Sequence, residues 1–316
     1  MYAVGIDIGG TKIAAALVAP DGSIIREAKA PTPAQDSSAI VQTVVDLVTE
    51  MSEGVEVKAV GVAAAGFIDS DRSTVIYAPN LSWRNEPLKE KLQARLGLPV
   101  FIENDANAAG WAEHRFGAGR GVKHMLMLTI GTGVGGAIVV DGRLLRGGFG
   151  IAAELGHIRL VPGGRPCGCG QLGCLEQYGS GTALLRSAKD LIASGDASAA
   201  RLAELQAQAG ELTGAQVYQA ITEHDSGAIG LLTQLATHMG EAAASLGAVL
   251  DPEVFVIGGG VSAAGELLLE PMRKAYESHQ PASGHRPKAR FEIAQLVNDA
   301  GVVGAADLAR LEFEAQ

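Results

Sequence analysis

The sequence predicts an α/β protein made of two related units. Residues 4–22 read as a strand, a Gly/Thr-rich tip, a second strand and an Asp-Gly turn, and residues 127–142 repeat that order. Apolar runs of strand length and longer amphipathic segments follow each of these hairpins. With 316 residues, the chain is long enough for two domains. We therefore expect each unit to open with a β-hairpin whose tip presents backbone N–H groups and hydroxyls.

The first unit continues with two predicted helices and two predicted strands. The spacing of apolar residues indicates a helix around residues 36–53, and a buried strand is expected at 57–64. A short strand is expected at 99–103, and a second helix is expected to begin at Asp105. This order of strands and helices is typical of an α/β unit.

The second unit contains a Cys-rich loop and is otherwise mainly helical. An Ala-rich stretch from about 179 to 250 has helical character, and a strand at 253–257, three glycines and a helix from about 262 to 279 follow it. Residues 194–215 could pass for a linker because they are rich in Ala, Gly and Ser. Leucines at helical spacing within that stretch favour a short surface helix instead.

The end of the chain bears on the domain organisation. A last helix is expected near residues 299–313, and its apolar side chains need a partner, which we expect to be the first unit. We therefore predict a small α/β domain of residues 1–107, with the C-terminal helix 298–316 packing back on it. Residues 108–297 would form a large α/β domain that holds the Cys-rich loop.

Composition and charge argue against several classes of protein. The chain is 47% hydrophobic and 19% charged, as in an ordinary soluble globular protein. Its apolar runs are too short to span a membrane, and its first segment carries Asp7 and Lys12 without a basic leader, so we expect a cytoplasmic location. The formal net charge of -10 argues against binding to nucleic acid or to an anionic membrane, because both require Lys and Arg to neutralise phosphates.

The three cysteines of the chain indicate a metal site. Cys167, Cys169 and Cys174 lie within eight residues of one another, and His157 precedes the first of them by ten residues. Three thiolates and an imidazole are the ligands of a closed, four-coordinate zinc site, which leaves no open position for catalysis. Inert core thiols are the alternative, whereas an odd number of cysteines disfavours a disulfide framework. We therefore predict a structural zinc held by these four residues.

Two carboxylates flank the predicted zinc loop. Glu154 precedes His157 by three residues, and Glu176 follows Cys174 by two. If the metal folds the loop, both carboxylates are held near each other. Such a pair suits a polyhydroxylated ligand better than it suits the metal.

Two glycine-rich segments resemble nucleotide-binding motifs without meeting their requirements. Residues 5–12 resemble a Walker A loop, but Thr11 and Lys12 stand in reversed order, so the lysine cannot take its usual place at a helix start. Residues 131–136 have the spacing of a dinucleotide fingerprint, but a strand and turn follow them where the fingerprint requires a helix. Both motifs are therefore disfavoured.

The two hairpin tips remain as candidate phosphate sites. Their amides, with the hydroxyls of Thr11 and Thr132, can bind phosphate oxygens without a helix dipole. Ordinary turn glycines would explain either hairpin alone, but they do not explain Asp7 just before the first tip. That carboxylate would repel phosphate unless Mg²⁺ lay between them, so the pattern favours magnesium-dependent phosphate binding.

Asp105 is the candidate catalytic residue. Residues 101–109 read as a strand that ends in a polar corner and opens a helix. Near a helix N-cap, backbone amides and the helix dipole would stabilise the ionised form of the Asp105 carboxylate. A cap with no further role is the commoner fate of such a residue, but Asn104 beside it could bind an adjacent hydroxyl. An ionised carboxylate that orients a hydroxyl towards a γ-phosphate is the aspartate role in phosphoryl transfer.

These features together resemble the ROK family of sugar kinases and repressors, within the actin-like ATPase superfamily. The resemblance runs the length of the chain, and the ordered set of motifs is highly specific. Within the family, the Cys-rich loop and the residues just after it look most like those of bacterial ATP-dependent glucokinases. The segments that carry the resemblance are residues 7–12, 103–107, 130–157, 167–181 and 257–260.

The resemblance implies a two-domain actin-like ATPase (ribonuclease H-like) fold with a cleft between the domains, and ATP-dependent phosphorylation of glucose at its 6-hydroxyl. It implies that Asp105 is the catalytic base, that ATP, Mg²⁺ and a structural Zn²⁺ are bound, and that the chain forms a homodimer or homotetramer. His157 would use one ring nitrogen for sugar and the other for zinc. The sugar-binding residues that it implies are Gly66, Asn80, Asn104, Asp105, Glu154, His157 and Glu176. Those implied for the phosphates, Mg²⁺ and adenosine are Asp7, Gly9, Gly10, Thr11, Lys12, Thr132, Gly133, Gly258 and Gly259.

Other functions stay open from the sequence. Many repressors of the family carry a helix-turn-helix before the first hairpin, but here that hairpin starts at Val4. A sugar-binding protein without catalysis is disfavoured by Asp105 and by both phosphate hairpins. N-acetylglucosamine, N-acetylmannosamine, mannose or fructose as acceptor, or polyphosphate as donor, stays possible because the same hydroxyl ligands serve several hexoses.

Overall fold

Two five-stranded sheets with the same arrangement organise the computed structural model, which describes residues 1–315. The first sheet has a hairpin, an edge strand beside it and two later strands, and the second sheet repeats this order. A small three-stranded sheet is also present. The strands, numbered in chain order, are Ala3–Ile8 (β1), Lys12–Val18 (β2), Ile24–Pro31 (β3), Val60–Ala64 (β4), Phe67–Ile68 (β5), Val75–Tyr77 (β6), Arg84–Glu86 (β7), Val100–Asn104 (β8), Met125–Ile130 (β9), Val134–Val140 (β10), Arg143–Leu144 (β11), Val254–Gly258 (β12) and Arg290–Ile293 (β13).

The strand orders agree with the internal repeat expected from the sequence. The first sheet runs β3-β2-β1-β4-β8, the second runs β11-β10-β9-β12-β13, and the small sheet runs β5-β6-β7. In the first sheet β1 and β2 are antiparallel, whereas β4 is parallel to β1 and β8 is parallel to β4. The register places Ile8, Ala64 and Asn104 side by side at the carboxyl ends of their strands. Residues that follow these strands therefore lie at one edge of the sheet, where open α/β sheets bind ligands.

Ten α-helices connect and cover the sheets within residues 1–315. Asp36 caps the first of them by accepting a hydrogen bond from the backbone N of Ala39 at 3.0 Å. The Ala-rich stretch expected to be helical resolves into α4 to α8, and residues 194–215 contain a short helix, as expected, whose two leucines are buried. The helices are Ser37–Met51 (α1), Leu88–Leu96 (α2), Asp105–Phe116 (α3), Glu176–Gly179 (α4), Gly181–Ala193 (α5), Ala200–Ala209 (α6), Gly214–Thr222 (α7), Ser226–Leu250 (α8), Glu266–His279 (α9) and Ala300–Glu314 (α10). None of the helices within the described residues has the length and apolar character needed to cross a membrane.

The chain divides into two compact units. Unit 1 comprises residues 1–123, 137–153 and the segment from residue 295 onward, and unit 2 comprises residues 124–136 and 154–294. Helix α3 thus lies in unit 1, whereas the boundary predicted from the sequence follows residue 107. The reason is that α3 packs tightly on α10: a Cβ placed on Gly304 would lie 1.8 Å from the carbonyl oxygen of Ala108.

Helices cover both faces of the first sheet. On one face, alternate residues of β1, such as Ile6, pack in a buried cluster with Val44 of α1 and Leu92 of α2. On the other face, Ala16 of β2 packs with Val303 of α10. Helix α10 corresponds to the predicted C-terminal helix 298–316, of which Gln316 lies outside the described residues.

Two glycines let α10 lie directly on the strand backbones. A Cβ on Gly5 of β1 would lie 1.9 Å from the carbonyl oxygen of Val302, and a Cβ on Gly61 of β4 would lie 1.9 Å from that of Ala305. Both neighbours are backbone atoms of a buried helix, which cannot move aside alone. The absence of side chains at these two positions of β1 and β4 therefore sets the distance between α10 and the sheet.

We expect Gly61→Ala to destabilise the chain by about 1–3 kcal/mol or more, because an added methyl group overpacks a site closed by backbone. Thermal unfolding followed by circular dichroism measures the change. Gly230→Ala in α8 is the matched control, because a Cβ there meets nothing within 4 Å. Alanine in a helix interior should leave the unfolding temperature unchanged or raise it. Equal unfolding temperatures for Gly61→Ala and the unmodified chain would contradict this packing.

Candidate active site

The first hairpin tip is held rigidly in unit 1. The backbone N of Gly9 donates to the carbonyl of Lys12 at 3.0 Å, which closes the turn. Thr32, which follows β3, donates its hydroxyl to the carbonyl of Gly9 at 2.7 Å and its N–H to the carbonyl of Thr11 at 3.1 Å. Thr11 and Lys12 themselves are exposed. The tip therefore presents a fixed backbone together with a hydroxyl and an ammonium group that can meet a ligand.

Asp7 lies one residue before the end of β1 and points towards α10. A Cβ on Gly301 would lie 2.6 Å from Oδ2 of Asp7. The Asp7 carboxylate therefore occupies space that any larger residue at position 301 would fill. Burial, together with the nearby charge of Asp105, raises the pKa of Asp7 to about 6, although Lys12 opposes the shift. A carboxylate in this situation gains from a bound cation, which would relieve both the burial and the repulsion.

Asn104 and Asp105 stand where β8 becomes α3. Asn104 is the N-cap: its Oδ1 accepts from the backbone N of Asn107 at 3.0 Å, and its Nδ2 donates to the carbonyl of Gly66 at 3.1 Å. Asp105 is the first residue of the helix, and its Oδ1 accepts from the backbone N of Ala106 at 2.9 Å. The corner is therefore fixed by side-chain hydrogen bonds on both sides of the Asp105 carboxylate.

The pKa of Asp105 shifts in the direction opposite to the sequence-based expectation. We expected the helix start to stabilise its ionised form, but its pKa is raised above the ordinary value of 3.8. Surrounding protein atoms desolvate the carboxylate, and this outweighs its hydrogen bonds to backbone N–H groups and to Asn104. A raised proton affinity suits a group that must accept a proton from a hydroxyl.

Gly66 and Asn80 lie beside these residues in unit 1. Gly66 has φ of 141°, and a Cβ there would lie 2.3 Å from the carbonyl oxygen of Tyr77, so only glycine fits. Its carbonyl is the acceptor for Asn104. A Cβ on Gly10 would lie 3.0 Å from Cβ of the exposed Asn80, which places that residue against the first hairpin tip. Unit 1 thus brings together the predicted sugar and phosphate residues of its own sequence.

The second hairpin tip lies in unit 2 next to Glu176. Gly131 donates its N–H to the carbonyl of Gly133 at 3.0 Å, and the backbone N of Val134 donates to Oε2 of Glu176 at 3.2 Å. A Cβ on Gly133 would lie 2.3 Å from that same oxygen. The carbonyl of Thr132 accepts from the hydroxyl of Thr182 at 2.7 Å. The tip and the carboxylate are thereby held as one rigid piece.

The predicted zinc ligands converge in unit 2. The side-chain ligand atoms of His157, Cys167, Cys169 and Cys174 all lie within 4.8 Å of one another. Sγ of Cys169 is 3.6 Å from Sγ of Cys174, and Sγ of Cys167 is 3.7 Å from Nδ1 of His157. Bond lengths of about 2.3 Å to sulfur and 2.0 Å to nitrogen in a tetrahedral site put neighbouring ligand atoms about 3.5–3.8 Å apart. The four residues therefore fit a zinc ion, and all three thiols are free rather than disulfide-bonded.

Two of the predicted sugar ligands contact residues of the predicted zinc site. Oε1 of Glu176 lies 3.8 Å from Sγ of Cys167, and the backbone N of His157 donates to the carbonyl of Glu154 at 3.0 Å. Glu154 precedes a short 3-10 turn, Leu155–His157, that carries the histidine. Because Nδ1 of His157 faces the thiols, its Nε2 is left for another partner. The segment that carries the predicted zinc ligands thus also carries Glu154, His157 and Glu176.

A cavity of about 530 Å³ opens beside the second hairpin tip within unit 2. Gly131 and Thr132 line one part of it, and Val217 and Tyr218 of α7 line another. The hydroxyl of Tyr218 donates to the carbonyl of Ala263 at 3.2 Å, which fixes the ring. The lining of the cavity is largely apolar, as is usual for small-molecule and cofactor sites.

The glycines after β12 have separate roles around this cavity. Gly260 belongs to the cavity lining. Gly259 has φ of 82°, and a Cβ there would lie 2.5 Å from the carbonyl oxygen of Ile130, so it lets the chain turn against β9. A Cβ on Gly258 would lie 2.8 Å from Cε of Met127, which shows a close packing contact. The predicted pair Gly258 and Gly259 therefore shapes the wall that Gly260 completes.

Sequence reasoning missed several residues of the site. Val217 and Tyr218 line the cavity from a helix that carries no motif, so their apolar spacing indicated only a packed helix. Glu103 did carry a signal: it is an acidic residue inside an apolar strand, and such residues are almost never buried without a partner. Its partner is Arg146, whose Nε donates to Oε2 of Glu103 at 2.6 Å.

Comparisons with known proteins agree with this geometry. The ROK family model matches residues 3–312 of the chain. The glucokinase of Streptomyces coelicolor is 46% identical over 308 residues, which are 97% of each chain, and that of Halalkalibacterium halodurans is 40% identical over 311 residues, covering 95% of this chain and 92% of its own. The crystal structure of a ROK family glucokinase from Streptomyces griseus in complex with glucose and AMPPNP matches with a TM-score of 0.86 and 46% identity, covering 98% of this chain and 100% of the other. The two-domain actin-like ATPase fold expected from the sequence is thereby confirmed.

Proposed function

The chain belongs to the ROK family, and from that premise we propose that it is a glucokinase that transfers the γ-phosphoryl group of ATP to the 6-hydroxyl of glucose. The observation that carries the proposal is the near full-length similarity to glucokinases, at 46% identity and with a TM-score of 0.86 to a structure holding glucose and AMPPNP. Similarity over whole chains covers both the sugar residues and the phosphate hairpins. The geometry of each unit supports the same reaction.

Asp105 is the proposed general base. Its carboxylate would accept the proton of the sugar 6-hydroxyl as the oxygen attacks the γ-phosphorus and the bond to the β-phosphate oxygen breaks. Two observations support this role: the carboxylate is fixed by the backbone N of Ala106, and its pKa is raised by desolvation. Asn104, held by its bond to Gly66, would orient an adjacent hydroxyl so that the 6-hydroxyl faces the phosphate.

The remaining sugar ligands are proposed to be Glu154, His157 and Glu176, and Gly66 and Asn80 are proposed as further sugar-binding residues. Ionised carboxylates accept hydrogen bonds from sugar hydroxyls, and an imidazole nitrogen can donate or accept one. His157 would bind sugar through Nε2, because its Nδ1 lies 3.7 Å from Sγ of Cys167. The zinc ion would hold the loop that presents these groups, and it takes no part in the proposed reaction.

ATP is proposed to bind with its phosphates on the two hairpin tips. The residues proposed to contact them are Gly9, Gly10, Thr11, Lys12, Thr132 and Gly133. The base would enter the apolar cavity beside Tyr218, bordered by the glycines after β12. Mg²⁺ would be held near Asp7, whose raised pKa supports a compensating cation there, and it would neutralise phosphate charge.

Other properties of the chain stay proposals. Because ATP is the proposed donor, we place the enzyme in the cytoplasm, with sugar and ATP as its small-molecule partners. The homodimer or homotetramer implied by the family resemblance is proposed as well.

A substrate panel tests the proposed function. Purified chain is incubated with Mg²⁺ and either ATP or polyphosphate, and with glucose, N-acetylglucosamine, N-acetylmannosamine, mannose or fructose. We expect glucose with ATP to give the highest kcat/KM, measured as ADP and hexose 6-phosphate formed. A higher kcat/KM for another hexose or for polyphosphate would replace glucose or ATP in the proposal. If the chain binds a sugar but phosphorylates none of the five sugars with either donor, it is a sensor instead of a kinase.

A further inference from the structure

Glu103 is a buried carboxylate directly before the proposed catalytic corner. It lies in β8 and is 4% exposed, so both of its oxygens need partners. Oε1 accepts from the backbone N of Asn104 at 3.1 Å and from Nδ2 of Asn107 at 3.1 Å. These two residues stand on either side of Asp105 in the sequence. The carboxylate of Glu103 therefore ties together both flanks of the first turn of α3.

Asn107 depends on this tie. It is 2% exposed, and its Oδ1 is buried without a hydrogen-bond partner, so its amide group is held through the Nδ2 bond to Glu103. The backbone N of Asn107 donates to Oδ1 of the cap residue Asn104. A shift of the Glu103 carboxylate would thus move the cap and the helix turn that fix Asp105.

Arg146 supplies the opposite charge from a distant part of unit 1. It follows β11 and donates from Nε to Oε2 of Glu103 at 2.6 Å, with the side chains 25% and 5% exposed. Nη2 of Arg146 lies 3.9 Å from Oε1 of Glu312 in α10. The same Glu312 oxygen forms an ion pair with Nη1 of Arg72 at 2.8 Å. Arg146 therefore sits between two carboxylates, and only one of them contacts the corner that holds Asp105.

We propose that Glu103 and Arg146 form a positioning pair that holds Asn104 and Asp105 in the geometry needed for proton abstraction. The proposal rests on the proposed function, because it assigns these residues to the same reaction. Neither side chain touches substrate in this scheme. The ion pair holds the Glu103 carboxylate in place, and Glu103 fixes the cap through Asn104 and Asn107. A displacement of a reacting group by about 1 Å can reduce turnover by about 100-fold, so a small loosening of the corner is measurable.

Arg146→Met is the first test, since it keeps much of the length of the side chain and removes its charge. It leaves the buried Glu103 carboxylate without its cation. Removing one partner of a buried ion pair costs more free energy than replacing both partners, because an uncompensated charge stays buried. We expect kcat with glucose and ATP to fall by about 30-fold or more, while KM for ATP stays within about twofold, because the hairpin tips are untouched. The matched control is Arg72→Met, which breaks the outer pair with Glu312 and should keep kcat within about twofold.

The double variant Glu103→Gln with Arg146→Met separates the loss of positioning from the destabilising effect of a buried, unpaired charge. It buries no unpaired charge, so we expect its kcat to recover to about 10-fold below the unmodified chain, above that of Arg146→Met. If Arg146→Met does not fold, the double variant is used as the test instead. It lacks the hydrogen bond between Arg146 and Glu103, so its kcat should still be about 10-fold lower than that of the unmodified chain.

Three results would overturn the pair. The first is an unchanged kcat in Arg146→Met or in the double variant. The second is a loss of kcat in the double variant equal to the product of the losses in Arg146→Met and in the single variant Glu103→Gln, assayed alongside, since that shows no coupling between the residues. The third is an equal loss of kcat in Arg72→Met. Failure of the unmodified chain to phosphorylate glucose in the same assay would instead reject the proposed function.

Discussion

Asp105→Asn is expected to lower kcat for glucose phosphorylation by about 10²–10⁴, the usual effect of removing a positioned acid or base. The asparagine keeps an oxygen that can accept from the backbone N of Ala106, which lies 2.9 Å from the Asp105 carboxylate. Glucose affinity should therefore largely survive, and the loss should appear in kcat rather than in KM. Steady-state kinetics and glucose titration by calorimetry or fluorescence measure the two effects separately.

The same substitution is expected to raise thermal stability at neutral pH. The folded-state pKa of Asp105 is raised above 3.8 by desolvation, so the folded state binds the proton more tightly than the unfolded chain does. Stability contributed by the protonated carboxyl is present below the ordinary pKa and is lost as pH rises through the raised pKa. A neutral amide at this position does not suffer that loss, so Asp105→Asn should unfold at a higher temperature than the unmodified chain at pH 7, and the difference should shrink in acid.

The acid limb of the pH profile of kcat/KM should include the titration of the same carboxyl group. A general base must be ionised, and kcat/KM follows the groups of the free enzyme, so kcat/KM should fall as pH drops through a pKa above 3.8. The control is Asp71→Asn, which changes an exposed aspartate and should alter neither turnover nor unfolding temperature. Near-normal turnover in Asp105→Asn would remove this residue from the mechanism, and an unchanged unfolding temperature would reject the desolvation argument.

Local motifs explain why much of the fold and of the site could be predicted from the sequence. Each hairpin is a short-range pattern of strand, Gly/Thr tip and Asp-Gly turn, and both hairpins are present. The convergence of the candidate metal ligands was also predictable, because three of the four lie within eight residues and three thiols with an imidazole are a zinc-binding set. The structure places their ligand atoms within 4.8 Å of one another.

Long-range contacts explain what the sequence could not provide. Glu103 and Arg146 are separated by 43 residues, so no local pattern joins them. The position of α3 on α10 depends on close backbone approach at Gly304, which a sequence pattern does not encode. The direction of the Asp105 pKa shift was expected wrongly for the same reason. A cap motif reports the nearby N–H groups, whereas desolvation depends on every atom that the fold brings to the carboxylate.

Cys167→Ser is expected to lower both the unfolding temperature and the affinity for glucose. The site fits one zinc ion per chain, and metal binding to a site that exists only in the folded state adds to folding free energy. Loss of several kcal/mol in a chain of this size corresponds to about 5–10 °C in unfolding temperature. Glucose affinity should fall as well, because Sγ of Cys167 lies 3.8 Å from Oε1 of Glu176 and the loop carries His157.

Glu176→Gln distinguishes the effect of losing a sugar ligand from the effect of losing the metal. It removes the charge of a proposed glucose ligand and leaves the four metal ligands in place, so zinc content and unfolding temperature should stay near normal while glucose affinity falls by about 10-fold or more. Plasma mass spectrometry of protein purified without chelator should find one zinc per chain, and about none in Cys167→Ser. A chain purified without zinc, or a Cys167→Ser variant that keeps its unfolding temperature and glucose affinity, would contradict a structural zinc. Equal zinc loss in Glu176→Gln would instead make that carboxylate part of the metal site.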